Sequence, residues 1–451
     1  MKKFYEISII SIIFIVICFI YRGQQRITLN GGKGWDGVNY YNMAEQIQKG
    51  SNTFVADLPH IKRLGTPFLI AHFSNITGIN ILDSALYINL AGAYITVLLL
   101  LIWLGIFIKE FWITGLLCFL FMMAWYAPVR YSFYVPLTTD SWGSVWFMAG
   151  LLLLYAIRKA YGKNNSRAFI TYVFSYAFII SIGTLFRETN TVLCILPFFI
   201  LNPVKILNGF PKTMTLSRGL HFFRQSGKQF YVWQTFFLFV PVIFIALTTL
   251  LVKKFIVEID LNEYSYLKNT IFWLFTKSPL EYFLGILIAF GPLILLLPFY
   301  YKQFRMVLWE NQELFLLLII SIIFGFIGGT DTERILFMSG FPVIFLILGI
   351  SLRSLFNSSQ KWWLYVLLIL QSIAFRFFWM LPDYNVLSGH TPVPFFGFMS
   401  NHVKYLYLYS HFSNYKITAI LLSEYFVLFL ATGYVIGNKI VLKRRHEVSR
   451  T

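Results

Sequence analysis

Runs of about 20 mostly apolar residues recur along this chain, each long enough to carry an α-helix across the hydrocarbon core of a bilayer. In lipid a spanning segment must satisfy its own backbone, so continuous apolar runs of this length fold as helices. Composition agrees, with 58% hydrophobic and only 12% charged residues, where a soluble domain carries roughly a quarter charged. The expectation is an all-α integral membrane protein, one polytopic domain over residues 1–451. About twelve transmembrane helices are expected, centred near residues 12, 95, 119, 150, 177, 197, 242, 290, 320, 343, 370 and 427. The run near 197 is short and interrupted by Pro197, so the count is eleven to thirteen. The first run follows Met1-Lys2-Lys3, and Tyr21-Arg22-Gly23-Gln24 offers no small-residue cleavage site, so it reads as a retained signal anchor.

The net charge of +18 would suggest nucleic acid in a soluble protein, but here lysine and arginine belong in short loops beside anionic headgroups. With twelve spans, Lys2 and Lys3, Lys109, the stretches 158–167 and 205–228, Lys302, Arg305, Arg353, Lys361 and Lys443-Arg444-Arg445 fall on one face. Both termini are then cytoplasmic, in what reads as a bacterial cytoplasmic membrane, with no nucleic-acid partner. The other face receives most of the acidic residues, and chemistry is expected there. Residues 21–82 form a long first outer loop with amphipathic helices, and residues 381–415 a last outer loop rich in aromatics that holds an interfacial helix or an aromatic belt. Cys18, Cys118 and Cys194 lie in apolar runs without ligand spacing and read as core residues.

Several outer residues invite chemistry. Asp36 stands where an amphipathic helix begins, with Tyr40 one turn on; the helix dipole favours its ionised form, and it either caps that helix or supplies a reactive carboxylate. His60-Ile61-Lys62-Arg63 precedes an apolar run too short to span, and Arg63 either forks onto a phosphate or snorkels to headgroups. Arg187-Glu188 and Asp331-Thr332-Glu333-Arg334 sit at the outer ends of apolar runs, where charges are costly and tend to be functional. The local alternative is that Thr189, Asn190 and a Thr330–Glu333 capping box finish helices while each arginine neutralises the glutamate beside it. Asp140, after Thr138-Thr139, is a candidate ligand or the cap of the span that follows. No nucleophile elbow, P-loop, zinc-protease or dinucleotide motif is present.

Together, Trp35-Asp36-Gly37 with Tyr40, Tyr41 and Ala44, the His60-x-Lys62-Arg63-x-x-x-Pro67 element, Thr139-Asp140 and Asp331-x-Glu333-Arg334 resemble the GT-C superfamily. Its members are multispanning glycosyltransferases that use polyprenyl-phosphate sugars, among them bacterial relatives of the phosphatidylinositol-glycan and dolichyl-phosphate mannosyltransferases. The resemblance implies a GT-C-like fold, a polyprenyl-phosphate-sugar donor, an undefined lipid, glycan or protein acceptor, and Asp36 as general base. Tyr40, His60, Arg63, Asp140, Arg187, Glu188, Asp331, Glu333 and Arg334 would then bind substrate and its phosphate. The paired acids of some members are missing, since Gly37 follows Asp36 and Asn39 is no acid, so no metal ligand or cofactor is indicated, although a divalent metal stays possible. Two further readings use the same outer charges: a flippase or transporter of lipid-linked saccharides, and an O-antigen-type polymerase or ligase centred on residues such as His60 and Arg63.

Overall fold

The computed structural model describes residues 2–124, 126–163, 165–197, 232–259, 265–329, 331–356, 362–377 and 415–448. The aromatic loop expected over 381–415 lies outside them apart from Tyr415, as does the basic stretch 205–228. The chain is mostly helical, as its apolar runs require. Its principal helices in the first half are α1 (Lys2–Gly23), α2 (Gly37–Gln48), α3 (Gly65–Thr77), α4 (Ile81–Phe107), α5 (Phe111–Met123), α6 (Pro128–Tyr134), α7 (Asp140–Gly162), α8 (Ser166–Phe186) and α9 (Val232–Val252). The second half carries α10 (Tyr266–Thr276), α11 (Pro279–Phe290), α12 (Tyr301–Glu310), α13 (Gln312–Ile327), α14 (Thr332–Phe356), α15 (Trp362–Ala374) and α16 (Tyr415–Val448). One feature departs from the all-α expectation: β1 (Phe54–Asp57) in the first outer loop pairs in parallel with β2 (Ile256–Ile259), just after α9. Alternation was too short there to stand out against the apolar runs.

Among the described residues, six helices are long and apolar enough to cross a membrane, or eight if each of two sharply bent pairs is one span. Three shorter apolar helices, Ser8–Gly23, Phe239–Val252 and Trp362–Ala374, coincide with the expected runs near 12, 242 and 370. The run near 197 opens instead as a 3-10 helix, Glu188–Ile195, and then leaves the described residues. Phe426, Val427, Leu430 and Tyr434 on α16 are each more than half exposed, an apolar stripe that suits lipid and would aggregate in water.

The central helix is α14, whose apolar stretch is 89% buried. Phe337, Phe341 and Phe345 on it surround Phe121 of α5, and the Trp103 indole of α4 donates to the Pro342 carbonyl at 3.1 Å. Buried cations close helix ends elsewhere. Arg130 donates to Met123 O, Phe375 O and Arg376 O, so one guanidinium serves the carboxyl ends of α5 and α15. The ammonium of Lys277, in the 101° bend between α10 and α11, donates to Gly325 O, Gly329 O and Thr332 Oγ1, joining that bend to the ends of α13 and α14. On the opposite face, Arg158 near the end of α7 holds Asn311, Glu313 and Glu310 O at the 110° bend between α12 and α13, and Arg353 pairs with Glu110. The described helices therefore present two faces, and Asp140 and Arg158 mark them about 27 Å apart along α7.

Candidate active site

The first outer loop folds back onto the bundle because its small residues permit close approach. A Cβ on Gly37 would stand 2.9 Å from Leu137 Cβ and 3.1 Å from Leu137 O, so only glycine lets the start of α2 lie against the strand-like lead into α7. That contact carries Asp36 beside the end of α7 that bears Asp140. Asp36 is the N-cap residue of α2 as expected, yet its carboxylate makes no capping hydrogen bond, and its side chain is 55% exposed. One face of His60 is 3.8 Å away, Nε2 to Asp36 Oδ1.

From His60 a directed chain runs inward. Arg63 Nη1 donates to the Tyr40 hydroxyl at 2.8 Å, so the Tyr40 proton is left for His60 Nδ1 at 3.3 Å, and the remaining ring proton of a neutral His60 sits on Nε2 toward Asp36. Burial pushes His60 below its ordinary value, against the upward pull of Asp36. The other edge of Arg63 forks onto Glu188, Nε to Oε2 at 2.7 Å and Nη2 to Oε1. Burial alone would raise Glu188, but the Arg63 guanidinium holds it down at about 2. Burial and the neighbouring guanidiniums of Arg334 and Arg63 lower Arg187 to about 9, so it stays charged at neutral pH.

Asp140 is the hub. Fully buried at the start of α7, it receives Arg187 on Oδ1 and the Arg334 Nε on Oδ2 at 2.7 Å. The Arg187 stem reaches it across Gly143, where a Cβ would stand 2.9 Å from Arg187 Cβ. Arg334 also contacts Asp331, 58% exposed at the rim, and lies over the Tyr131 ring at 4.4 Å. Asn190, buried beneath, donates to Gly143 O, Gly183 O and Arg187 O and so ties α7, α8 and the Arg187 turn together.

This arrangement revises the local reading of these residues. Arg187 and Arg334 both pair with Asp140, while Glu188 takes Arg63 from 125 positions earlier. Thr139, not Asp140, is the N-cap residue of α7, and Asp140 is fully buried against the two arginines it pairs with. Asn190 closes the carboxyl end of α8 instead of capping the helix that follows. Asp36, Tyr40, His60, Arg63, Asp140, Arg187, Glu188, Asp331 and Arg334 are brought together on one face. Glu333 is not; buried at the start of α14, it lies within electrostatic reach of Lys277, Tyr126 and Tyr425.

Tyr131 had no signal of its own and Asn190 only its local reading as a cap, since nothing local marks a tyrosine or asparagine for pairing with residues tens of positions away. Three guanidiniums, Arg63, Arg187 and Arg334, are paired with Glu188 and Asp140 in the inner network and with Asp331 at the rim, so three cations meet three carboxylates. Asp36 and Asp331 stand at its exposed rim. Such a site can hold an anion and offer a carboxylate base beside it. Among the described residues no group of three or more His, Cys, Asp and Glu is placed to hold a metal ion. No family model, curated protein or solved structure matches the chain.

Proposed function

We propose that this chain is an integral membrane glycosyltransferase of the GT-C kind, with about twelve spans and both termini in the cytoplasm of a bacterial cell. It would transfer a sugar from a polyprenyl-phosphate-linked donor to a lipid, glycan or protein acceptor at the outer face. The observation that supports this most directly is the half-exposed Asp36 carboxylate at the rim of a network of three guanidiniums held by acidic partners. Attack at the anomeric carbon requires an acceptor hydroxyl to lose its proton, and Asp36 would take it. As the new C–O bond forms, the bond to the donor phosphate breaks and its electron pair stays on the phosphate oxygen. Arg63, Arg187 and Arg334 would stabilise that charge in place, and because they are already held by Glu188 and Asp140 little reorganisation is needed.

The test is sugar transfer by purified protein in nanodiscs offered radiolabelled polyprenyl-phosphate sugars, with the intact chain compared to Asp36→Asn. Release of polyprenyl phosphate should fall at least about 100-fold in the variant while donor binding persists. Equal turnover by both proteins would remove Asp36 from the reaction. A second reading, a transporter of lipid-linked saccharides, is favoured by the two bent helix pairs and by the buried Arg376–Glu424 ion pair between α15 and α16. It is distinguished by movement of a fluorescent lipid-linked saccharide across vesicles with no donor consumed.

A further inference from the structure

A groove lies far from the site, on the opposite face. It has a volume of about 420 Å³ and is lined by Tyr301, Lys302, Arg305, Met306, Trp309 and Glu310, all from α12. α12 leaves α13 at 110°, so the two do not form one straight span, and the lipid site inferred below takes α12 to lie along the bilayer surface. Arg158 fixes the bend, holding Asn311 and Glu313, so this geometry is braced by α7. Leu308 turns in toward the core, whereas Tyr301, Lys302, Arg305 and Met306 face away from the bundle.

Arg305 is held in place before any ligand arrives. Its Nη1 donates to the Tyr301 hydroxyl at 2.6 Å, and its guanidinium carbon stands 5.5 Å from the rings of both Tyr301 and Trp309, one turn before it and one turn after. Lys302 lies three residues away on the same side, which places two cations at neighbouring positions on the helix surface. Met306 supplies an apolar floor, 64% exposed. Glu310 closes the far end of the groove with a carboxylate that disfavours a second negative charge on the ligand.

We infer that α12 carries a binding site for an anionic bilayer phospholipid, one whose phosphodiester headgroup has a net charge of about −1 with no cation of its own. Lys302 and the fork of Arg305 receive the phosphate, and Met306 with the aromatic edges receives the glycerol and upper acyl chain. Cations at this depth are drawn to any anionic leaflet; what makes this a site is the ring-held Arg305 in a groove that also holds Lys302. The inference does not depend on glycosyl transfer.

The experiment is native mass spectrometry of the full chain, delipidated in detergent and titrated with dioleoyl phosphatidylglycerol or dioleoyl phosphatidylcholine. Phosphatidylglycerol should be retained and phosphatidylcholine not, and the Lys302→Gln/Arg305→Gln variant should bind phosphatidylglycerol about 30-fold more weakly, the usual worth of two cations at an anionic surface. Arg305→Lys, which keeps the charge and loses the fork, should fall between them. Lys109→Gln, an exposed cation elsewhere on the same face, should bind as the unaltered chain does. Three results would each overturn the inference: unchanged affinity in the double variant, an equal loss in Lys109→Gln, or displacement of the lipid by equimolar inorganic phosphate. All these side chains are exposed, and an unchanged unfolding temperature in lipid-free detergent separates lost binding from lost fold.

Discussion

Asp140 has two arginines and no solvent. Replacing it by asparagine keeps its shape and strips the buried guanidiniums of Arg187 and Arg334 of their common partner, at a cost of about 3–5 kcal/mol. Asp140→Asn is therefore expected to lower the unfolding temperature as well as activity, whereas Asp36→Asn, at an exposed rim, should lower activity alone; a thermal scan beside the transfer assay separates them. His60 makes a pH prediction. Its Nδ1 accepts from Tyr40 only while the ring is neutral, and the groups facing it are Asp36, Asp57, Arg63, Tyr40 and Glu188. Since burial lowers its proton affinity, the ordered chain is present above the ordinary histidine value of about 6.5 and is lost as pH falls through the depressed one. An acid limb in kcat/KM should appear below about pH 6.5 and move to lower pH in His60→Gln, which can accept from Tyr40 and donate to Asp36 without titrating. A limb unmoved by the substitution would assign it to another group. Glu188, held at about 2, keeps its bond to Arg63 until well below pH 4, so that contact does not contribute to the limb.

At the scale of elements, the site depends on how closely α2 and α8 approach α7. Gly37→Ala puts a methyl group into Leu137 and Gly143→Ala puts one into the Arg187 stem, and each should destabilise the site by roughly 1–3 kcal/mol as backbone or side chain moves aside. Protease accessibility of the first outer loop in Gly37→Ala is the measurement; unchanged protection would show that α2 tolerates the shift. These elements also show how far sequence reached. The helix starting at Asp36, the short amphipathic α3 and the charged ends of α8 and α14 were legible, because capping residues and apolar periodicity are local. The pairing was not legible: Arg187 and Glu188 look like neighbours that neutralise one another, and only the fold sends one to Asp140 and the other to Arg63. The parallel contact of β1 with β2 was hidden for the same reason, four-residue strands some 200 positions apart.

Over the whole molecule, hydropathy located the apolar runs, and among the described residues six to eight of them form helices long and apolar enough to span, with three shorter apolar helices besides. Length assumes an unbroken helix, whereas Ser278-Pro279 and Asn311 turn two runs by about a right angle, each a broken span or a re-entrant turn that a window reads as one straight crossing. The Lys277 contacts across one such turn offer a test. Lys277→Met leaves three oxygen acceptors without their donor, so α10 should loosen from the ends of α13 and α14 and hydrogen exchange at residues 325–333 should rise; unchanged exchange would mean that packing alone holds the turn.

The hub at Asp140 joins a residue from the first third of the chain to Arg334 in the last third. Synthesis is sequential, so Asp140 and Arg187 enter the bilayer long before Arg334 has been made. For that interval Asp140 has only one of its two guanidinium partners, and its Oδ2 lacks the donor it has in the finished protein, which lipid tolerates poorly. A ribosome that stalls before residue 334 thus releases a fragment whose Asp140 is half-partnered, a physical difference by which membrane proteases could tell abandoned intermediates from completed molecules.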